Sequence, residues 1–147
     1  MNTKTGKKLT YDDFKVGYSG TFTKKITEEA NKQFADVVED YNPVHFDKER
    51  MAKSIFGQRA TNGFLSESTI GTALVHMFTS DQTIIIALKK SIKLMAPVFI
   101  GDTITATVTV KERFEEKRRL LCDCKVRKQD GGIVVDAEFL IKILEGI

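Results

Sequence analysis

The sequence predicts an α+β fold in which one buried helix packs against an antiparallel sheet. Residues 62–78 are apolar around most of a helical surface, which is typical of a helix enclosed by protein. From residue 83 onward, polar and apolar residues alternate between turn residues, which indicates a run of strands. One strand, then helices, then several strands is the order expected for a helix on one face of a sheet.

Length and composition indicate one globular domain. The 147 residues are enough for one core, so we expect a single domain over 1–147, with a flexible segment at 1–8. The net charge of +3 comes from basic residues mixed with acidic ones, which argues against nucleic acid as a partner. No segment reaches the roughly 18 apolar residues of a membrane span, and no apolar run follows the first lysines. We therefore expect neither a membrane partner nor a signal peptide.

The two cysteines, Cys122 and Cys124, are two residues apart in a predicted strand. We expect them on opposite faces of the strand and unpaired. A C-x-C pattern without another cysteine pair or a nearby histidine is weak as a metal site. The sequence therefore predicts no metal centre, reduced thiols and a cytoplasmic location.

The first long helix is predicted over residues 27–40. Thr27 is a suitable N-cap, and two glutamates follow it in the first turn, where the helix dipole favours acids. Pro43 cannot continue the helix and moves Asn42 out of the helical region, so the helix should end near residues 40–41. The apolar residues that repeat at helical spacing are Ala30, Phe34, Val37 and Val38.

Shorter elements complete the prediction. Asp47 can cap a short helix over 48–53, and 54–59 is expected to be an irregular loop. The later strands are expected to form an antiparallel meander, closed at one turn by the D-G-G sequence of 130–132. The predicted strands are 18–23, 83–89 continuing through 91–95, 103–114, 118–128 and 133–144.

The chemistry is concentrated in residues 40–45, which read D-Y-N-P-V-H. The bend at Pro43 lets Asp40 and His45 aim at one water molecule, and a carboxylate with an imidazole can take a proton from water and return one to a substrate. A helix end with a capping turn and a structural histidine explains the same residues, since both types are common near turns.

Gly63 begins the central helix and is a second candidate. A glycine there leaves free backbone N–H groups at the positive end of the helix dipole, where they can hold an oxyanion. A buried helix that simply starts at a permissive residue explains the same glycine.

Three motifs together resemble the MaoC-like hydratase family, the (R)-specific enoyl-CoA hydratases and dehydratases also called hydratase 2. They are D-x-N-P-x-H at 40–45, N-G-F at 62–64 and A-P-V-F-I-G-D at 96–102, and the similarity runs from about residue 14 to 144. The first motif is specific to this family, and the third lies at a suitable distance from it along the chain. The family interpretation is therefore favoured over the alternative that residues 40–45 form only a structural turn.

The resemblance implies a hot-dog fold, a curved antiparallel sheet wrapped around the helix that starts near Gly63. It implies a homodimer or dimer of dimers that hydrates a trans-2-enoyl thioester of coenzyme A, or of acyl carrier protein, to a (3R)-3-hydroxyacyl thioester. Asp40 and His45 match the catalytic positions, and Gly63 matches the glycine that polarises the thioester carbonyl. Asn42 matches a position that supports the bend. No cofactor is implied, since coenzyme A is part of the substrate.

The sequence departs from the family at two positions. Asn62 replaces the usual histidine before the oxyanion glycine; its amide can donate a hydrogen bond but cannot titrate. Gly71 stands where a serine is often found and opens space, which favours a medium acyl chain. The other histidine, His76, is expected to be structural. Basic residues that could meet coenzyme A phosphates, or form a solvated edge, are Arg59, Lys89, Lys90 and Lys93.

Two other functions fit the same fold. One is a module that binds an acyl thioester without converting it, and the other is an acyl-CoA thioesterase. Retention of both Asp40 and His45 favours the hydratase, because a binding module needs no pair that activates water. A thioesterase would attack the carbonyl carbon, and D-x-N-P-x-H is not its usual motif.

Overall fold

Five strands form one antiparallel sheet in the computed structural model, which describes residues 8–147. The predicted flexibility of 1–8 therefore falls, except for Lys8, outside the described residues. The strands are β1 (Ser19–Lys25), β2 (Thr83–Leu94), β3 (Thr103–Phe114), β4 (Arg119–Lys128) and β5 (Ile133–Glu145). The helices are α1 (Glu28–Val38), α2 (Pro43–Phe46), α3 (Lys48–Ala52) and α4 (Gly63–Phe78), with 3-10 turns at Tyr11–Asp13 and Glu115–Lys117.

The strand order is β1-β3-β4-β5-β2. Strands β3, β4 and β5 form the predicted meander, but the expectation of a four-strand meander is wrong at β2, which pairs with β5 at the far edge. A β2–β3 hairpin would need a tight turn. Residues 95–102 instead leave the sheet and bond to the segment before α4, where Thr61 N–H donates to the Val98 carbonyl over 2.7 Å.

Helix α4 fills the concave side of the sheet and contacts all five strands. The predicted alternation in β3 is confirmed, because the side chains at Ile104, Ala106, Val108 and Val110 are at most 1% exposed. Nine of the sixteen residues of α4 are buried, as its apolar surface predicted. The core of the molecule therefore lies between this helix and the inner face of the sheet.

Helix α1 begins where expected, with the Thr27 hydroxyl accepting from Ala30 N–H at 3.0 Å. It ends at Val38, earlier than predicted, and Glu39 turns the chain in a left-handed conformation with φ of 56°. The predicted apolar face is wrong in part. Val37 is 81% exposed, whereas Asn31 and Ala35 form the buried side of the helix.

Cys122 and Cys124 are unpaired, as expected, but they do not face opposite sides of β4. Residues two apart in a strand share a face, and both side chains are fully buried on the core side. Burial raises the pKa of Cys122 to about 12, so this thiol stays protonated near neutral pH.

Among the helices formed by residues 8–147, none is long and apolar enough to cross a bilayer.

Candidate active site

The D-x-N-P-x-H segment forms a short helix rather than an open bend. Pro43 occupies the first position of α2, where its missing N–H is not needed. The Asn42 side-chain oxygen accepts from Val44 N–H at 3.2 Å and caps the helix. Asn42 therefore stabilises the turn that presents His45, in the supporting position that the resemblance implies.

His45 is 8% exposed, and hydrogen bonds hold both its ring and its backbone carbonyl. Its ring Nδ1 lies 2.7 Å from the Ala60 carbonyl oxygen. Because a carbonyl only accepts, Nδ1 carries the hydrogen, and the neutral ring has its lone pair on Nε2. The backbone carbonyl of His45 accepts from the buried Asn31 side-chain amide at 3.1 Å. The imidazole is thus fixed with its basic nitrogen available.

Asp40 is tied to the start of α4 by Asn62. One carboxylate oxygen accepts from Asn42 N–H at 3.1 Å, and the other accepts from the Asn62 side-chain amide at 3.0 Å. The Asn62 side-chain oxygen in turn accepts from Phe64 N–H at 2.9 Å and caps α4. The Asn62 amide thus donates to a carboxylate of the protein itself. One amide therefore joins the carboxylate to the helix that begins at Gly63.

Gly63 is the first residue of α4. Within residues 8–147, its N–H has no hydrogen-bond acceptor, as expected for the first amide of a helix. A Cβ atom built on Gly63 would lie 2.8 Å from Leu94 Cδ1, so a larger residue must displace that side chain. Glycine thus permits close contact between α4 and the end of β2 beside a free amide.

His45 and Gly63 line one cavity of about 370 Å³. Ser66 also lines it, and its walls are mostly apolar, formed by residues 94–98 and 134–135. Asp40, Asn42 and Asn62 are not lining residues, so the cavity contains His45 but not the carboxylate expected beside it. Asp40 lies behind the wall, where Asn62 joins it to the start of α4. A larger cavity of about 640 Å³ lies among residues of β2, β4 and β5. Lys89 and Lys90 line it, but Asp40, His45 and Gly63 do not.

The motif at 96–102 forms part of the cavity wall and fixes the neighbouring backbone at Ala60 and Thr61. Thr61 donates to the Val98 carbonyl through both its N–H and its hydroxyl, at 2.7 and 2.9 Å. Ala60 pairs with Phe99 in an isolated antiparallel bridge. Phe99 N–H donates to the Asp102 carboxylate at 2.8 Å. The segment therefore fixes Ala60, which in turn orients His45.

Asp102 is the buried anchor of that segment. Lys128 and Gln129 each approach its carboxylate to 2.9 Å. Burial alone raises the pKa of Asp102, but hydrogen bonds from Gln129, Lys128 and the Phe99 N–H outweigh it, and the net pKa is lowered. Asp102 is thus ionised near neutral pH and holds its partners as a charged group.

Sequence reasoning missed two partners of His45. Ala60 acts through its backbone carbonyl, which leaves no signal in residue type. Asn31 did carry a signal, since it lies four residues before Ala35 on the same helical face. Of the cations considered for phosphate binding, Arg59 is held by Glu28 through two bonds of 3.0 Å.

The remaining predicted residues lie away from the cavity. Lys90 is held by Glu67, which leaves it engaged within the protein. The His76 ring packs edge-on against Phe22 at 5.6 Å between centroids and does not line the cavity. Its expected structural role agrees with this position.

Comparison with known proteins identifies the family. The family model described as MaoC like domain matches residues 15–129. The chain is 32% identical over 135 residues to the (R)-specific enoyl-CoA hydratase of Rhodospirillum rubrum, covering 90% of each chain. It is 30% identical over 137 residues to the 3-hydroxybutyryl-CoA dehydratase of Methylorubrum extorquens, covering 92% of this chain and 84% of that protein.

Solved structures agree with this result. The R-hydratase PhaJ1 from Pseudomonas aeruginosa superimposes with a TM-score of 0.83 at 32% identity, covering 92% of this chain and 86% of that one. The sheet, its central helix and these likenesses define a hot-dog fold of the α+β class. The chain belongs to the MaoC-like domain family.

Proposed function

We propose that the protein is an (R)-specific enoyl-CoA hydratase, which adds water reversibly to a trans-2-enoyl thioester and gives a (3R)-3-hydroxyacyl thioester. The observation that carries the proposal is the cavity shared by His45 and Gly63. It combines a nitrogen that can accept a proton with a free N–H donor, inside largely apolar walls. The stereochemistry and substrate class follow from the relatives of about 30% identity.

Addition of water requires two proton transfers. A base removes a proton from water as the water oxygen attacks C3, and an acid supplies a proton to C2. His45 and Asp40 are the proposed pair. Nε2 of His45 is available because Nδ1 is committed to Ala60. Neither residue is assigned as the sole base, because a carboxylate and an imidazole can each take a proton from water.

Gly63 is the proposed oxyanion donor. As water adds to C3, negative charge develops on the thioester oxygen, and a fixed N–H donor at that oxygen contributes about 3 kcal/mol to the transition state. The amide of Gly63 meets this need, since it has no acceptor among the described residues and lies at the positive end of α4.

The proposed reaction moves protons and water and transfers no electrons. It therefore requires no metal or redox cofactor, and coenzyme A enters as part of the substrate. Acyl carrier protein is the alternative carrier. The proposed location is the cytoplasm, supported by the two unpaired cysteines of β4.

We propose that the chain forms a homodimer, or a dimer of dimers, through the edge strand β2. This strand pairs with β5 on one side only, and an exposed apolar edge is an association surface. Its exposed apolar side chains, 41–62% accessible, are Ile84, Ile86, Leu88 and Leu94. Light scattering should give twice the chain mass or more for the native protein and a smaller mass for Ile86→Lys. A native monomer would contradict this proposal.

The activity test uses crotonyl-CoA with purified protein. A hydratase removes the conjugated enoyl absorbance, releases no thiol and yields the (3R)-3-hydroxy product on chiral analysis. Release of free thiol would identify a thioesterase instead. Binding of the thioester without loss of absorbance or release of thiol would identify a binding module.

A further inference from the structure

An ion pair with a buried carboxylate and a half-exposed ammonium group lies beside the candidate site and has no part in the proposed proton transfers. Glu67, on α4, is 9% exposed. Its carboxylate contacts the ammonium group of Lys90, on β2, and the Lys90 side chain is 52% exposed. Glutamate is rarely buried unless it is paired, so the pair marks a specific arrangement between helix and edge strand.

The pair lies directly behind the oxyanion donor. Glu67 follows Gly63 by four residues, which places it on the same face of α4 and about 6 Å further along the axis. Lys90 precedes Leu94 by four residues on β2, and Leu94 is the side chain that packs against Gly63. Lys90 is also paired in register with Phe139, which is buried. Both charged groups therefore face the space between α4 and β2, the acyl groove, which adjoins the cavity where Gly63 and Leu94 line it.

Beyond the pair, the groove opens again. Gly71 is one further turn along α4, and a Cβ atom built there would meet nothing within 4 Å. Glu67 and Lys90 thus stand between the reacting end, at Gly63, and open space at Gly71. Gly71 alone favours a medium acyl chain, but a chain that extends along this face must first pass the ion pair.

An alkyl tail in that position is unfavourable. It would strip water from Lys90, or separate Lys90 from a carboxylate that has no other hydrogen-bond partner among the described residues. Leaving a buried charge unpaired is strongly disfavoured. The distance of about 6 Å from Gly63 to Glu67 accommodates only the first few carbons of an acyl chain.

We propose that the Glu67–Lys90 ion pair closes the acyl groove and restricts the enzyme to short-chain 2-enoyl thioesters, of about four to six carbons. This inference rests on the proposed function and names its substrate class. Both residues act as specificity determinants, since the polar barrier they form opposes binding of longer tails.

The test compares kcat/KM for crotonyl-CoA and trans-2-octenoyl-CoA. We expect the native protein to favour crotonyl-CoA by at least about tenfold, a typical effect of a misfitting apolar group. Glu67→Ala should reduce this preference by at least about tenfold, because it opens the way to the space at Gly71. Lys90 can then turn toward water, so the variant should fold. Glu67→Gln, which retains the length of the side chain, should reduce the preference less.

Lys111→Ala is the matched control. It removes a lysine from the Lys111–Glu138 pair on the exposed sheet surface and should leave the preference unchanged. Equal hydration of both substrates by the native protein would overturn the proposal, as would an unchanged preference in folded Glu67→Ala.

Binding of saturated butyryl-CoA and octanoyl-CoA, measured by calorimetry on the native protein, separates this inference from the proposed function. Tighter binding of butyryl-CoA without any hydratase activity would refute the function and support the chain-length limit. Hydration with equally tight binding of both thioesters would support the function and refute the limit.

Discussion

His45 Nδ1 donates to the carbonyl oxygen of Ala60 over 2.7 Å, and this bond selects the ring tautomer. The neutral imidazole must therefore carry its lone pair on Nε2. Ala60 in turn is fixed by its bridge with Phe99 and by its N–H bond to the Val44 carbonyl at 3.1 Å. The position of the proposed catalytic nitrogen thus depends on the backbone carbonyl of Ala60, a residue to which the sequence assigned no role.

Replacement of His45 should remove hydratase activity with little change in fold. His45→Gln retains a polar side chain but no titrating nitrogen, so kcat should fall by about 10²- to 10⁴-fold. His76→Gln is the matched control, because His76 lies outside the cavity, and it should keep near-native kcat. Circular dichroism checks the fold of both variants. Equal kcat values for the two variants would contradict a role for His45 in the mechanism.

Substitution of Asn62 separates its capping role from its link to Asp40. Asn62→Ala loses both the cap and the link to Asp40. Loss of the cap should lower the free energy of unfolding by about 1 kcal/mol, the usual cost of a lost N-cap. Loss of the link to Asp40 should also reduce kcat. Asn62→Asp keeps a capping oxygen but places a second carboxylate beside Asp40, where the amide now lies 3.0 Å away.

Two adjacent carboxylates raise the pKa of one of them. In Asn62→Asp the acid limb of the kcat profile should therefore move to higher pH. Repulsion between the two carboxylates should also lower thermal stability at neutral pH, and this loss should shrink as pH falls. Thermal melts and a pH–rate series check both expectations. An unshifted acid limb would contradict the proposed role of Asp40 in the proton transfers.

The role of the Gly63 amide can be tested by removing its hydrogen. Proline is tolerated at the first position of a helix, so Gly63→Pro deletes the N–H while α4 is kept. Because any added Cβ meets Leu94, the comparison is made in a Leu94→Ala background, with Gly63→Ala as the matched control. The proline variant should lose about 10²- to 10³-fold in kcat relative to the alanine variant. Equal rates would exclude this amide as the oxyanion donor.

Asp102 should make stability depend on pH in the acid range. Its pKa is lowered in the folded protein, so its contribution is fully present above its ordinary pKa of 3.8 and is lost as pH falls through the folded value. Asp102→Ala leaves Lys128, only 16% exposed, without its carboxylate and should lower the free energy of unfolding by about 3 kcal/mol at pH 7.

The difference between native protein and Asp102→Ala should shrink below pH 4, as measured by urea unfolding at several pH values. Asp136→Ala is the control, since the Asp136 side chain is 40% exposed in its pair with Lys125, and such pairs contribute little. A difference that is constant from pH 7 to 3 would show that the charge of Asp102 does not stabilise the fold.

The sheet and central helix were predictable because each buries one periodic face. Strands β3, β4 and β5 lie within one residue of their predicted bounds, since alternation reports burial directly. The pairing of β2 with β5 was not predictable from that alternation, because strand order depends on where the 95–102 segment binds.

Site residues could be predicted from the sequence only where their role depends on the type of side chain. Asp40, His45 and Gly63 stand out by their side chains or the lack of one. The Ala60 carbonyl does not, and neither does the pairing of Glu67 with Lys90, which joins residues 23 apart. Asn31 was not among the predicted site residues, yet its side chain is buried and its amide donates to the His45 carbonyl.

Residues 60–63 serve three purposes: they orient the imidazole, hold the carboxylate and start α4. The opposite wall of the groove comes from β2, a different part of the chain. Under the proposed function, reactivity and substrate range are therefore encoded in separate segments. Replacing the inward side chains of β2 should change the acyl groups that are accepted and leave the proposed proton-transfer residues unchanged.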